Sequence, residues 1–290
     1  MSDRLSTLLQ RFEPRARLTH AGLLLRSNSS PPACISDHAE HEGLLLLLRR
    51  GAVQITPGRD AMQRCQLTQA GLIYLPCPGQ AVELLPMHEA GAQVLAARMS
   101  WGHPDHNPLL GELPQTLQHE QSDLGTLEPT WHMLWTELME RSCAHRNTLQ
   151  RLMEVMMIQL VRRWLDTRTS ARHSPAPAGV GAGLADSRLL RVLDAMHSRP
   201  EQAWTLEALA ALADMSRARF AAHFHATIGQ PPASYLTSWR MGLAQELLLQ
   251  RSVKDVAQAV GYASPTAFCR AFTQHTGQAP RAWAKLTAGT

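Results

Sequence analysis

Two sets of residues in this chain have types and spacings that could do chemistry. Near the C-terminus, Thr266, Arg270 and Thr273 recur at i, i+4 and i+7, opposite Phe268 and Phe272. On a helix they would share one outward face. A guanidinium there can pair bidentately with guanine in a major groove, and hydroxyls can add single hydrogen bonds. An earlier stretch repeats the anchors as Phe220 and Phe224 but carries Ala218, Ala222 and His225 outside. Alanine offers at most a contact with a thymine methyl. Arg217 and Arg219, at the start of that stretch, suit phosphate contacts. The bland alternative for each arginine is a solvated surface charge. The second set is His38, His41 and Glu42 with His103 and His106. Transition metals need three or four converging ligands, and these spacings do not supply them. No nucleophile elbow, phosphate loop, HExxH or dinucleotide fingerprint occurs.

The elements that must position the first set form an internal repeat. Residues 205–229 lie in register with residues 252–277. Thr205 and Ser252 each open a helix as N-cap residues, and Asp255 would complete a capping box with Ser252. Leu206, Leu209, Ala210 and Ala213 match Val253, Val256, Ala257 and Val260. After a short break, Ser216 and Ser264 open a second helix, with Pro265 in its first turn. Gly229 and Gly277 end those helices. A short helix, a tight turn and a second helix on a small shared core make a helix-turn-helix. A duplicated helical hairpin without a DNA role is the plain alternative. Between the copies, Leu236, Trp239, Leu243 and Leu247 predict one continuous helix over Tyr235–Gln250, a rod of about 24 Å.

The rest of the chain has a different character. Short apolar runs at Leu44–Leu48, Ala52–Thr56, Gly71–Leu75, Ala81–Leu85 and Gln93–Ala97 alternate with turn residues, predicting a small barrel or jelly roll. Helical periodicity follows, with Trp131, Leu134, Trp135 and Leu138, then Leu149, Leu152, Met153, Met156, Met157, Leu160, Val161 and Trp164. The Met-rich stripe exceeds what one small barrel needs, so a homodimer through this pair is expected. Residues 167–185 are rich in Pro, Gly, Ala and Ser and read as a flexible linker.

At 290 residues with 44% apolar and 18% charged side chains, the composition is that of a globular protein with room for two domains. The net charge of +4 lies in residues 185–290, where eleven basic residues face seven acidic ones. That bias fits a polyanionic partner. Met1 to Pro14 shows no apolar block of the export type, and the five-leucine run is far short of the ~20 residues that span a bilayer. The chain is expected in the cytoplasm, away from membranes. Cys34, Cys65, Cys77, Cys143 and Cys269 are scattered and form no CxxC pair, which argues against a disulfide framework or structural zinc.

Residues 188–286 resemble the DNA-binding domain of the AraC/XylS family of bacterial transcription regulators. The resemblance rests on Leu206-x-x-Leu209-Ala210, Ser216-x-x-x-Phe220-x-x-x-Phe224, Gly229, Pro232-x-x-Tyr235-Leu236, Arg240 and Ala257-x-x-x-Gly261-Tyr262. It continues through Ser264-x-x-x-Phe268-x-Arg270-x-Phe272, Gly277-x-x-Pro280 and Trp283. The β-rich region, with Asn107–Pro114 and two helices behind it, is similar to the cupin-type sensor domain of one branch of that family. Cupin enzymes use His-x-His, a later Glu and a further His; here Val82 stands where a histidine follows the Pro76-x-Pro78-Gly79 turn.

The resemblance implies an α+β multidomain chain: a cupin-like barrel with trailing helices (1–166), the linker (167–185) and an all-α domain of two helix-turn-helix units joined by a helix (186–290). It implies a regulator rather than an enzyme, expected to bind promoter DNA, to activate transcription with RNA polymerase as partner, and to use no cofactor. An organic or redox effector would be sensed in the barrel. The DNA-facing residues would be Ser216, Arg217, Ala218, Arg219, Ala221 and Ala222 in the first unit. In the second they would be Pro265, Thr266, Ala267, Cys269, Arg270 and Thr273. The alternatives are a metal-dependent cupin enzyme fused to a DNA-binding module, and an interaction protein whose helices only pair subunits.

Overall fold

A computed structural model describes residues 5, 8–9, 12–24, 33–35, 42–57, 64–76, 81–101, 107, 109–170 and 179–288. The chain forms two compact units. One comprises Phe12–His103 with Leu113–Trp164; the other comprises Met1–Arg11, Pro104–Glu112 and Leu165–Thr290.

The first unit is built on strands β1 (Arg15–Leu24), β2 (Ala33–Ile35), β3 (Gly43–Arg50), β4 (Val53–Pro57), β5 (Cys65–Leu67), β6 (Gly71–Leu75), β7 (Val82–Pro86), β8 (Ala92–Ser100) and β9 (Leu117–Glu120). They make an antiparallel five-stranded sheet, β1-β8-β3-β6-β9, and a four-stranded one, β2-β7-β4-β5. Alternate residues of a strand point to opposite faces. Leu44, Leu46 and Leu48 accordingly join Val53, Ile55, Ile73, Val82, Leu84, Val94 and Ala96 in one apolar core. Leu45, Leu47, Tyr74, Leu95 and Met99, on the other face, are equally buried. Helices α1 (Glu128–Glu140) and α2 (His145–Ser170) follow the strands. Arg49 lies 5.9 Å from the Trp135 ring centroid, and Gln93 Nε2 reaches Met139 Sδ at 3.5 Å. Burial on both faces explains why β3 reads as an unbroken leucine run.

Three differences from the sequence-based expectations have local causes. Every predicted strand forms, but β1, β2, β5 and β9 were not foreseen. Among the described residues β1 is an edge strand paired with β8 alone, and its exposed Arg15 and half-exposed Arg17 and Thr19 hide the alternation. β2 and β5 are three residues long, too short for a pattern to show. The Met-rich stripe is spent within the chain: Met153, Met156 and Met157 are fully buried, leaving Met133, Met139 and Val155 as the exposed apolar residues of α1 and α2. The predicted flexible segment is helical at both ends, since α2 runs on to Ser170 and α3 spans Val180–Ala185; residues 171–178 lie outside the described residues.

The second unit is helical. It contains α3, α4 (Ser187–Ser198), α5 (Leu206–Leu212), α6 (Arg217–Ile228), α7 (Pro232–Leu248), α8 (Val253–Ala259), α9 (Pro265–Thr276) and α10 (Pro280–Ala288). α3 is held by tertiary contacts rather than by periodicity. Gly179 N–H donates to Thr227 O, both carboxylate oxygens of Glu112 accept from Gly181 N–H, and a side chain on Gly183 would meet Ile228 and Leu193.

Candidate nucleic-acid interface

Helices α5 and α6 form one helix-turn-helix, and α8 and α9 the other. The predicted caps are in place. Thr205 Oγ1 accepts from Ala208 N–H at 3.1 Å and Ser216 Oγ from Arg219 N–H at 3.4 Å. Ser252 Oγ accepts from Asp255 N–H at 3.3 Å, and Ser264 Oγ from Ala267 N–H at 3.2 Å. The capping box differs in detail: the Ser252 hydroxyl donates to the Asp255 carboxylate at 2.7 Å. Gly229 and Gly277 close α6 and α9 with φ of 88° and 75°, a left-handed geometry that suits glycine.

Each second helix is anchored by a phenylalanine pair. Phe220 and Phe224 are buried with ring centroids 5.6 Å apart, and Phe268 and Phe272 with centroids 5.5 Å apart. The opposite faces are open. On α9, Pro265, Thr266, Ala267, Arg270 and Thr273 are exposed, whereas Cys269 is half-buried on the flank. On α6, Ala218, Arg219, Ala222 and His225 are exposed along with Ser216 and Arg217, and Ala221 is half-buried. The joining helix α7 is 17 residues long, from Pro232 to Leu248, and so spans about 25 Å.

The electrostatics of the two faces differ. Arg217 Nη1 pairs with Glu207 Oε1 at 2.7 Å, with both side chains more than half exposed. Solvent screens such a surface pair almost completely, so a phosphate could take its place. His223, on the flank of α6, pairs with Asp186 Oδ2 at 2.7 Å. Asp186 also caps α4 by accepting from the N–H groups of Arg188 and Leu189. Burial pushes the Asp186 carboxyl upward, but these hydrogen bonds outweigh it and hold the group below its usual range. Arg270 pairs with no carboxylate among the described residues. Sequence reasoning missed Asp186, Glu207 and His223 as partners. Only Asp186-Ser187 ahead of an apolar helix gave a signal, that of an N-cap.

In the strand unit, Val82 lies fully buried in the apolar core, at the place where the cupin pattern has a histidine. Glu42 pairs with Arg17 at 3.1 Å. His38, His41, His103 and His106 lie outside the described residues, as does Cys77. Among the described residues no three His, Cys, Asp or Glu side chains gather as metal ligands, and no helix is long and apolar enough to cross a membrane.

Comparison with known proteins agrees with both halves. A helix-turn-helix domain family matches residues 209–286, and a cupin family matches residues 3–166. A putative AraC-like transcription regulator of Streptomyces lividans is 32% identical over 192 residues, 64% of this chain and 61% of that one. The RCS-specific HTH-type transcriptional activator RclR of Escherichia coli is 38% identical over 99 residues, 33% of this chain and 35% of that one. The chain thus spans less than two thirds of either relative's length. The DNA-binding domain of AdpA, solved in complex with a target DNA, is 34% identical over 35% of this chain and 92% of that one, with a TM-score of 0.33. The cupin match alone takes in more than half of the residues. The chain therefore belongs to that cupin family, carries a helix-turn-helix domain behind it, and over 64% of its length is similar to a putative AraC-like transcription regulator.

Proposed function

We propose that this protein binds double-stranded promoter DNA through α6 and α9 and controls transcription from it. One observation carries the reading: two in-register helix-turn-helix units, each with an anchored second helix whose outer face is open, joined by one continuous helix. A major groove admits one such helix, and successive grooves on one side of a duplex lie about 34 Å apart. In this reading Thr266, Arg270 and Thr273 read bases. Arg217 and Arg219 hold phosphates, and Ser216, Ala218, Ala221, Ala222, Pro265, Ala267 and Cys269 line the approach. The test is titration of the full chain onto its own upstream DNA over a salt series. Binding whose affinity falls steeply with salt is expected; absence of binding at low salt overturns the reading.

The reading extends to activation, in keeping with the name of the Escherichia coli relative, with RNA polymerase as the further partner, and to a cytoplasmic location beside the DNA. We take the cupin domain as a sensor of an organic or redox effector rather than an enzyme, with Val82 in the core as support. Stoichiometric metal in the purified protein, lost on changing His38 and His41, would favour the cupin-enzyme alternative. Unchanged regulation in cysteine-to-serine variants would remove the redox option. A homodimer through α1 and α2 now rests, among the described residues, on Met133, Met139 and Val155. Sedimentation giving a monomer at micromolar concentration, with and without DNA, overturns it.

A further inference from the structure

Arg240 sits half-buried on α7, and its side chain reaches both helix-turn-helix units. Toward the first unit, Nε donates to Pro200 O at 2.7 Å and Nη2 to Gln202 O at 2.8 Å. Those carbonyls belong to the loop between α4 and α5, which is itself braced. Trp204 Nε1–H donates to Arg199 O at 3.0 Å, the Arg199 guanidinium lies 5.2 Å from the Trp204 ring centroid, and Trp204 N–H donates to Gln202 O. Toward the second unit, the same guanidinium stands 6.0 Å from the Tyr262 ring centroid. Tyr262 occupies the turn between α8 and α9 and packs edge-on against Phe268, the anchor of α9, at 5.7 Å.

The approach is close because residue 261 is glycine. Gly261 has φ of +80°, and a β-carbon there would stand 2.6 Å from Glu201 O and 2.9 Å from Arg240 Nη2. The turn of the second unit thus lies directly against the loop that leads into the first. A planar, always-charged fork can donate to two carbonyls from separate nitrogens while its carbon lies over an aromatic ring; the single nitrogen of an ammonium is too compact to reach all three positions at once.

We infer that Arg240 is a positioning residue that fixes α9 relative to α6, and that through it the protein measures the spacing between two half-sites on DNA. This rests on the DNA-binding reading above. Two modules joined rigidly gain in affinity only where both can dock at once, and the gain reaches about 10²–10⁴-fold when the geometry matches. A looser joint keeps each docking surface and gives up that match.

The test uses the full chain and duplexes built from its footprinted upstream site. One set carries both half-sites with zero to five base pairs inserted between them, and another carries each half-site alone. The wild-type chain should lose at least about tenfold in affinity at the half-turn insertion. Arg240→Lys should bind the single half-sites as the wild type does, lose about tenfold on the best-spaced duplex, and show a nearly flat spacing profile. Tyr262→Leu, which leaves the carbonyl contacts intact, should flatten the profile in part. It decides the matter if Arg240→Lys does not fold. A wild-type spacing profile in the variant, or a loss on single half-sites equal to that on the pair, overturns the inference. Wild-type protein that binds none of the duplexes instead overturns the DNA-binding reading on which it stands.

Discussion

The two helix-turn-helix units share their inside and differ in their outside. Inside, both use serine or threonine caps, a phenylalanine pair and a left-handed glycine at the end of the second helix. Outside, α6 presents alanines, an arginine paired with Glu207 and a flanking histidine paired with Asp186. α9 presents two threonines and an arginine with no carboxylate beside it among the described residues. Packing and capping constrain the buried positions of both copies alike, because each must stand as a helix pair. Exposed positions carry no such demand and can take on separate work. Under the proposed DNA-binding role, equal frames with unequal faces give one unit that chiefly grips and one that chiefly reads.

The largest effects should come from the shared frame. Phe224→Ala and Phe272→Ala should each cost about 3–5 kcal/mol in chemical denaturation of the full chain. A large cost for one and none for the other would show that the two frames are not equivalent. Next comes Arg270→Ala, expected to weaken binding to the native site by about 1–3 kcal/mol in equilibrium titration. Ser216→Ala and Ser264→Ala should each cost about 1 kcal/mol of stability through the lost cap, again equally. Arg217→Ala should weaken binding to all sequences alike and make the salt dependence shallower by about one unit. A sequence-dependent loss there would give the first unit a reading role after all.

The smallest effect is one of pH. Asp186 is held below its usual pKa, so its capping and pairing stabilise the fold above the unfolded carboxylate value of about 3.9 and are lost as pH falls through the lower folded value. Asp186→Asn should therefore lower thermal stability at neutral pH and converge on the wild type in acid. A constant gap across that range would assign the loss to packing alone.

Much of the C-terminal frame was legible in the sequence because its signals are local. Thr205, Ser216, Ser252 and Ser264 are bonded within three residues of themselves, and each phenylalanine pair is four residues apart. The outward faces followed from the same helical period. What could not be read depends on distant partners. Glu207 reaches Arg217 across ten residues, and Asp186 reaches His223 across 37. Helix α3 has almost no periodic pattern in Val180–Ala185; Glu112, Thr227 and Ile228 hold it from elsewhere in the chain. The methionine stripe misled for a related reason. Apolar periodicity shows that a face is buried but not whether the chain or a second copy buries it, and here the chain does.

The central claim, that α9 reads bases while α6 grips the backbone, is tested most directly by one titration set. Wild type, Arg270→Ala and Arg217→Ala, as full chains, would be measured on the native site, on each single-base substitution within it and on a scrambled duplex. The account predicts that Arg270→Ala loses affinity for the native site but little for the scrambled one, with discrimination flattened at one base pair. Arg217→Ala should lose equally on every duplex. An equal loss on native and scrambled DNA for Arg270→Ala would make it a phosphate contact and contradict the account.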